Sequence, residues 1–290
     1  MCPICLNPQS TLKKKGHFHR SLGQSRRIQR YRCSVCFRFS STQTLAITRG
    51  QRKPHITQPL FRLLCSGVSQ RRIAMILGIS KTTVSRRILS LAKHAKSQNA
   101  LEQTGEIPVF DEMETFEHSK CKPIAIAIAV DEATRRILAV QAASMPAKGH
   151  LAKIARKKYG FRKDHRRRAI RRILQRLKRN SIGKISTIKS DECPRYPRAV
   201  KKIFPDAVHL RYKGRRGCVV GQGELKRGGR DPLFALNHSC AMVRDNLKRM
   251  TRRTWCTTKK IERLQCLLEI YMCFHNQLVQ GIRRPRIDSM

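Results

Sequence analysis

The chain has 290 residues and carries 63 Lys and Arg against 18 Asp and Glu, a formal charge of +45. Such a surplus repels itself unless a polyanion neutralises it, and counterion release makes nucleic acid the expected partner. Hydrophobic residues make up 40% of the chain, enough for a core, which excludes global disorder. The longest apolar run, Ile124 to Val130, is far below the length that spans a bilayer, which excludes a membrane protein.

The chain opens Met1-Cys2-Pro3-Ile4-Cys5 with no sign of a leader, so a cytoplasmic location is expected, where its 12 cysteines stay reduced. Cys2-Pro3-Ile4-Cys5 and Cys33-Ser34-Val35-Cys36 form two knuckles separated by 27 residues. Four thiolates at that spacing suit structural Zn2+, ahead of a redox pair. His17 and His19 are alternative ligands. The ribbon so defined covers residues 1–48, and its many Lys and Arg side chains give it a phosphate-contacting surface.

After a polar link, residues 56–97 have the pattern of a helix-turn-helix. Ser69 caps the first helix, with Ile73, Ile76 and Leu77 on its inner face. Gly78 makes the turn and Ser80 caps the second helix, whose Val84, Ile88 and Leu91 face inward. Lys81, Thr82, Thr83, Ser85, Arg86 and Arg87 then begin the outward face, where a recognition helix meets the major groove of double-stranded DNA.

No Asp or Glu precedes Glu102, after which Asp111, Glu112, Glu114 and Glu117 arrive together and Asp191-Glu192 follow. Carboxylates clustered in a phosphate-binding protein oppose binding unless something compensates them, and a divalent metal is the usual agent. Residues 107–111 read as a strand ending in a carboxylate, 122–130 and 137–142 as its antiparallel neighbours, 182–189 as a strand ending at Asp191, 195–203 as a helix and 207–210 as a strand. The expected fold is α+β, with a mixed sheet flanked by helices over 104–280. A basic helical insert lies at about 151–180, where 14 Lys and Arg meet a single acid, Asp164. Its cationic face suggests a clamp on DNA. From spacing alone, two readings of Asp111 and Asp191 are open: pairing with nearby Arg or Lys, or sharing metal ions that act on a phosphodiester.

Phe110-Asp111-Glu112-Met113-Glu114-Thr115-Phe116, the meander, Lys189-Ser190-Asp191-Glu192 and a late basic helix resemble, in that order behind the two small modules, bacterial transposases of the insertion-sequence-one type. The resemblance implies an RNase-H-like domain with an acidic metal triad. It implies Mg2+ or Mn2+ as catalytic cofactor, and cleavage and strand transfer at transposon ends by a homodimer on paired ends in the bacterial nucleoid. No heptad seam marks such a dimer. Asp111 and Asp191 match the first two ligands. Asn237 stands where the family places Glu, with Glu224 and Asp245 as fallbacks. Arg244 matches a family arginine, and it and Lys248 share the Asn237 stripe of the helix, on the expected DNA side. His238 is either a base or an ordinary helix histidine, and Trp255 either stacks on a base or joins the core. The Asn237 departure raises an alternative, a catalytically weak or inactive transposase-derived regulator that only binds DNA. A basic RNA-binding protein explains the charge but not the helix-turn-helix.

Overall fold

The computed structural model describes the chain except residues 21–25, 45, 214–217, 220–221, 227–228, 252–254 and 288–290, and describes backbone alone at 20, 26, 218–219, 222–226 and 229–230. The N-terminal unit is an antiparallel sheet of β1 (Leu12–Arg20), β2 (Arg26–Cys33) and β3 (Phe39–Ser41), ordered β1-β2-β3. Three helices follow: α1 (Thr57–Leu64), α2 (Gln70–Ile76) and α3 (Lys81–Asn99). The Ser69 side chain accepts from Arg72 N at 3.4 Å and that of Ser80 from Thr83 N at 3.1 Å, so both expected caps form. Gly78 takes φ +57° in the turn between α2 and α3. Val84, Ile88 and Leu91 are buried as expected. Ile76 is not; it is 55% exposed, because Ile73 and Leu77, four residues apart, occupy the inner face and Ile76 falls beside it.

The main sheet contains β4 (Pro108–Glu117), β5 (Ser119–Asp131), β6 (Ile137–Ser144), β7 (Thr187–Asp191) and β8 (Val208–Tyr212), in the order β6-β5-β4-β7-β8. The first three are antiparallel neighbours, while β7 runs parallel to both β4 and β8. Between β6 and β7 lie α4 (Leu151–Tyr159) and α5 (Arg166–Arg179), and α6 (Tyr196–Ile203) joins β7 to β8. The short strands β9 (Cys218–Val219), β10 (Gln222–Lys226) and β11 (Gly229–Arg230) precede α7 (Phe234–Asn246) and α8 (Ile261–Val279).

Ile124 to Val130 is buried residue by residue, which requires cover on both faces of the sheet. Alternation sends Val109, Met113, Ile124, Ile126 and Ile128 to a core shared with α7, α8 and the three N-terminal helices. Phe110, Ala127 and Ala129 go to a second core under α5 and α6. Residues 56–97 are separate in sequence but not in packing. Phe61 meets Phe274 of α8 edge-on at 5.6 Å. Asn99 Nδ2 donates to Glu269 Oε2 at 2.8 Å, and Arg176 of α5 donates to Asn99 O at 2.6 Å.

Two expected boundaries move. β4 does not stop at Asp111 but continues to Glu117, because β5 is long enough to pair with all of it. β7 begins only at Thr187, since Ile182 lies 78% exposed in the approach to it. Trp255 is fully exposed rather than part of the core, in a segment outside any helix or strand between α7 and α8. Among the described residues no helix is long and apolar enough to cross a membrane.

Candidate active site and metal centre

Sequence reasoning brings together the N-terminal cysteines, and the structure does the same. The sulfurs of Cys2, Cys5, Cys33 and Cys36 all lie within 4.8 Å of one another, with Cys2–Cys36 and Cys5–Cys33 at 3.8 Å. A tetrahedral zinc with Zn–S bonds of about 2.3 Å has sulfur–sulfur edges of about 3.8 Å, so the set can hold a zinc ion as it stands. Each knuckle ends on a residue forced into the left-handed region, Leu6 at φ 53° and Phe37 at φ 56°, which turns the chain around the site. Burial pushes the Cys33 thiol up, but the amide N–H groups of Cys36 and Val35 outweigh it and bring it down to about 6. Neither His17 nor His19 belongs to this group.

The second site lies where β7 stops beside β4. Val109 pairs with Lys189 and Phe110 with Ser190, so Asp111 and Asp191 are the next residues on two parallel strands. Pleat alternation puts both side chains on the face shared with Val109, the face that α7 covers. Their hydrogen bonding is alike. Glu112 N donates to Asp111 Oδ1 at 2.6 Å and Cys193 N to Asp191 Oδ1 at 3.0 Å. The Tyr196 hydroxyl adds a second donor to Asp111 Oδ1 at 3.0 Å. Among the described residues, the other oxygen of each carboxylate has no hydrogen-bond partner.

The other acids of β4, and Glu132 after β5, are paired with bases, while Glu192 is exposed and has no ion pair among the described residues. Glu114 meets Lys148 at 2.6 Å, Glu117 meets Arg162 at 3.1 Å, and Glu132 meets Lys189 at 2.6 Å. Glu112 points to the opposite face and pairs with Arg195. Among the described residues neither Asp111 nor Asp191 forms an ion pair. Burial first, and the charge of Asp191 second, push the Asp111 carboxyl up to about 6. Two adjacent carboxylates without a basic partner among the described residues offer oxygen donors of the kind a hard divalent cation takes.

Asp111 also raises the thiol of Cys240 on α7, which burial and this neighbour push up to about 12, so α7 crosses close to the pair. Asn237 sits one turn earlier on α7. It is exposed, and its Nδ2 donates to Asp231 Oδ2 at 2.7 Å; no hydrogen bond joins it to Asp111 or Asp191 among the described residues. Those residues contain no third Cys, His, Asp or Glu that converges with the aspartates. Asp245 is exposed near the end of α7, and the side chain of Glu224 lies outside the described residues. The His238 ring lies 5.8 Å from that of Phe234, tilted by 45°, and burial and Arg135 lower its pKa, which places it toward the β5–β6 turn rather than in the acid pocket. Arg244 is half-buried and close enough to Cys240 to act on its thiol, while Lys248 is exposed.

On α3, Lys81, Thr82 and Arg86 face solvent. Thr83 is half-buried, its hydroxyl 2.9 Å from that of Ser80. Ser85 is half-buried and accepts from Arg263 through its carbonyl at 3.4 Å; Arg87 donates to Lys53 O at 3.2 Å.

Compared with known proteins, no family model matches the chain and no curated protein is significantly similar to it.

Glu112, Arg195 and Tyr196 were not singled out by the sequence. The available signal was the strand alternation that must send Glu112 away from Asp111, toward a base. Tyr196 is almost wholly buried, and burial and Asp111 raise its pKa, so its hydroxyl stays protonated and donates. It is a positioning residue for Asp111. Tyr196→Phe keeps the ring and removes the donor. Mn2+ affinity measured by calorimetric titration is expected to fall by about tenfold, as for other outer-sphere partners of metal ligands, with the fold intact. An unchanged affinity would show that the hydroxyl does not orient the carboxylate.

Proposed function

We propose that the chain is a transposase of the insertion-sequence-one type, which binds transposon-end DNA and catalyses metal-dependent phosphodiester cleavage and strand transfer. The observation that carries this reading is the pair Asp111 and Asp191, side by side on parallel strands where β7 ends against β4, and without a basic partner among the described residues. The strand order, with the first strand central and a parallel fourth strand beside it, supports an RNase-H-like domain. The capped α2–turn–α3 unit supports a helix-turn-helix with Lys81, Thr82 and Arg86 toward the major groove. The four-cysteine unit supports a zinc ribbon.

Asp111 and Asp191 would hold Mg2+ or Mn2+ through their free oxygens, and the ion supplies water activation and charge neutralisation at the phosphate. Glu112 N, Cys193 N and the Tyr196 hydroxyl fix the other oxygens, so the carboxylates are oriented before the ion arrives. The partners on this reading are duplex ends and target, engaged by a homodimer in the bacterial cytoplasm. The test is Mn2+-dependent nicking of a duplex carrying the element's terminal repeats. Both Asp111→Ala and Asp191→Ala should abolish it; nicking that survives either change removes the assignment.

One observation favours a second reading, a DNA-binding regulator without catalysis: the amide of Asn237, the residue that the resemblance puts in the third ligand's place, is held by Asp231. Asn237→Glu separates the two. Asp231 repels a new carboxylate and turns it from that contact, and a third charge near the pair should tighten Mn2+ by about tenfold if residue 237 serves the site. Unchanged Mn2+ affinity, with no nicking in either protein, favours the regulator.

A further inference from the structure

A groove of about 860 Å³ runs between α5 and α6, on the sheet face away from the core that α3 joins. Its α5 wall carries Arg167, Arg171 and Lys178, and its other wall Arg195, Arg198 and Lys202. Each set follows helical spacing, so each wall presents one cationic row. Arg167 to Lys178 covers about 16 Å of helix axis, the axial length of about five phosphates on one strand of B-form DNA. No acidic side chain lines the groove among the described residues. Facing rows of like charge are mutually repulsive, and a phosphate chain laid between them removes the repulsion.

We propose that this groove is a second DNA track, which holds one backbone of a target duplex without reading its bases. The chemistry argues for a duplex backbone. No aromatic side chain lines the groove to stack a splayed base, as single-strand sites require. The α6 end of the groove adjoins the strand that carries the acid pair: Arg195 pairs with Glu112 on the groove's own face, and the adjacent Tyr196 bonds Asp111, whose carboxylate lies on the opposite face. Because α3 joins the core on the other face of the sheet, the track serves a different DNA segment from the one α3 would read. The assignment of that segment as target rests on the proposed function; the binding itself does not.

The test uses the full-length, zinc-loaded protein and a fluorescent random-sequence duplex of about 30 base pairs, titrated across about 50–200 mM NaCl. Arg167→Glu with Arg171→Glu and Arg198→Glu should lower affinity at least tenfold. It should also reduce the slope of log affinity against log salt by about three, close to one counterion per lost contact. The corresponding Gln triple should lose the slope with a smaller loss of affinity. Arg283→Gln with Arg284→Gln, two exposed bases after α8, should leave binding of this random duplex within about threefold. A Glu triple that melts like the parent yet binds the duplex within about twofold overturns the proposal, as does tighter binding of single strand or duplex RNA by the parent. Mn2+-induced stabilisation, read on the same samples, keeps the two ideas apart. If the parent shows none while the Glu triple still loses the duplex, the nuclease reading fails and the track stands.

Discussion

Asp111→Asn is expected to make the protein more stable and inert at once. The Asp111 carboxyl is held near 6 in the fold against an ordinary value of 3.8, chiefly by burial and then by Asp191. A raised acid pKa means that the folded state binds the proton more tightly than the unfolded state. Below about pH 4 both states are protonated and nothing is gained or lost. Between about 4 and 6 the wild type loses stability as pH rises, and above 6 the full penalty persists, on the order of 3 kcal/mol. An amide of the same shape has no charge to bury. Without divalent metal at pH 7.5, Asp111→Asn should therefore melt several degrees higher than wild type, with the difference closing toward pH 4. Saturating Mn2+ should reverse the order, because only the wild type gains the stabilisation of a bound cation, about 2.7 kcal/mol at a hundredfold excess over Kd. Nicking of element ends should fall by about a thousandfold or more in the variant. A melting curve that does not rise in the variant, or a Mn2+ response that survives in it, would mean that Asp111 is not an uncompensated metal ligand.

Features encoded within a few residues were legible in advance. Each cysteine knuckle is a four-residue unit, and the caps at Ser69 and Ser80 depend only on the residue three places ahead. Ile124 to Val130 could be read as a buried strand because nothing polar interrupts it. The neighbourhood of Asp111 and Asp191 was of another kind. It depends on β7 entering beside β4 in one register after a crossover through α4 and α5, and local sequence does not state that register. Once the register is set, alternation dictates the rest: Asp111 goes to the α7 face, while Glu112 goes to the other, where the segment after β7 delivers Arg195 and Tyr196. The joining of the three N-terminal helices to the sheet was hidden for a similar reason. Leu91, Ala92 and Ala95 look like the inner face of a small bundle, and only the position of α8 shows that the core continues through them.

Cys33→Ser should unfold the first forty or so residues and leave the remainder folded. Among the described residues from 1 to the end of β3 at Ser41, the buried ones are Cys2, Ser10, Ile28, Cys33 and Ser40. Ile28 alone is an ordinary apolar side chain, worth roughly 2 kcal/mol on burial, which cannot order three strands. A structural zinc contributes apparent energies of about 10–16 kcal/mol in small modules, so a zinc held by these four sulfurs would decide folding. The serine oxygen is a shorter, harder ligand that stays protonated at neutral pH, and it cannot replace the thiolate that takes N–H bonds from Val35 and Cys36. Zinc content should fall from one ion to near zero, and protease should cut within β1 to β3 at once. The large core begins only at Ile47, so it does not draw on the unit for its stability. The main melting transition should then move by no more than about 2 °C, a ΔΔG under about 1 kcal/mol for a domain of this size. A variant that kept its zinc would show that the four sulfurs are not the ligands. A large fall in the main transition would show instead that the sheet domain leans on the metal unit through contacts outside its apolar core.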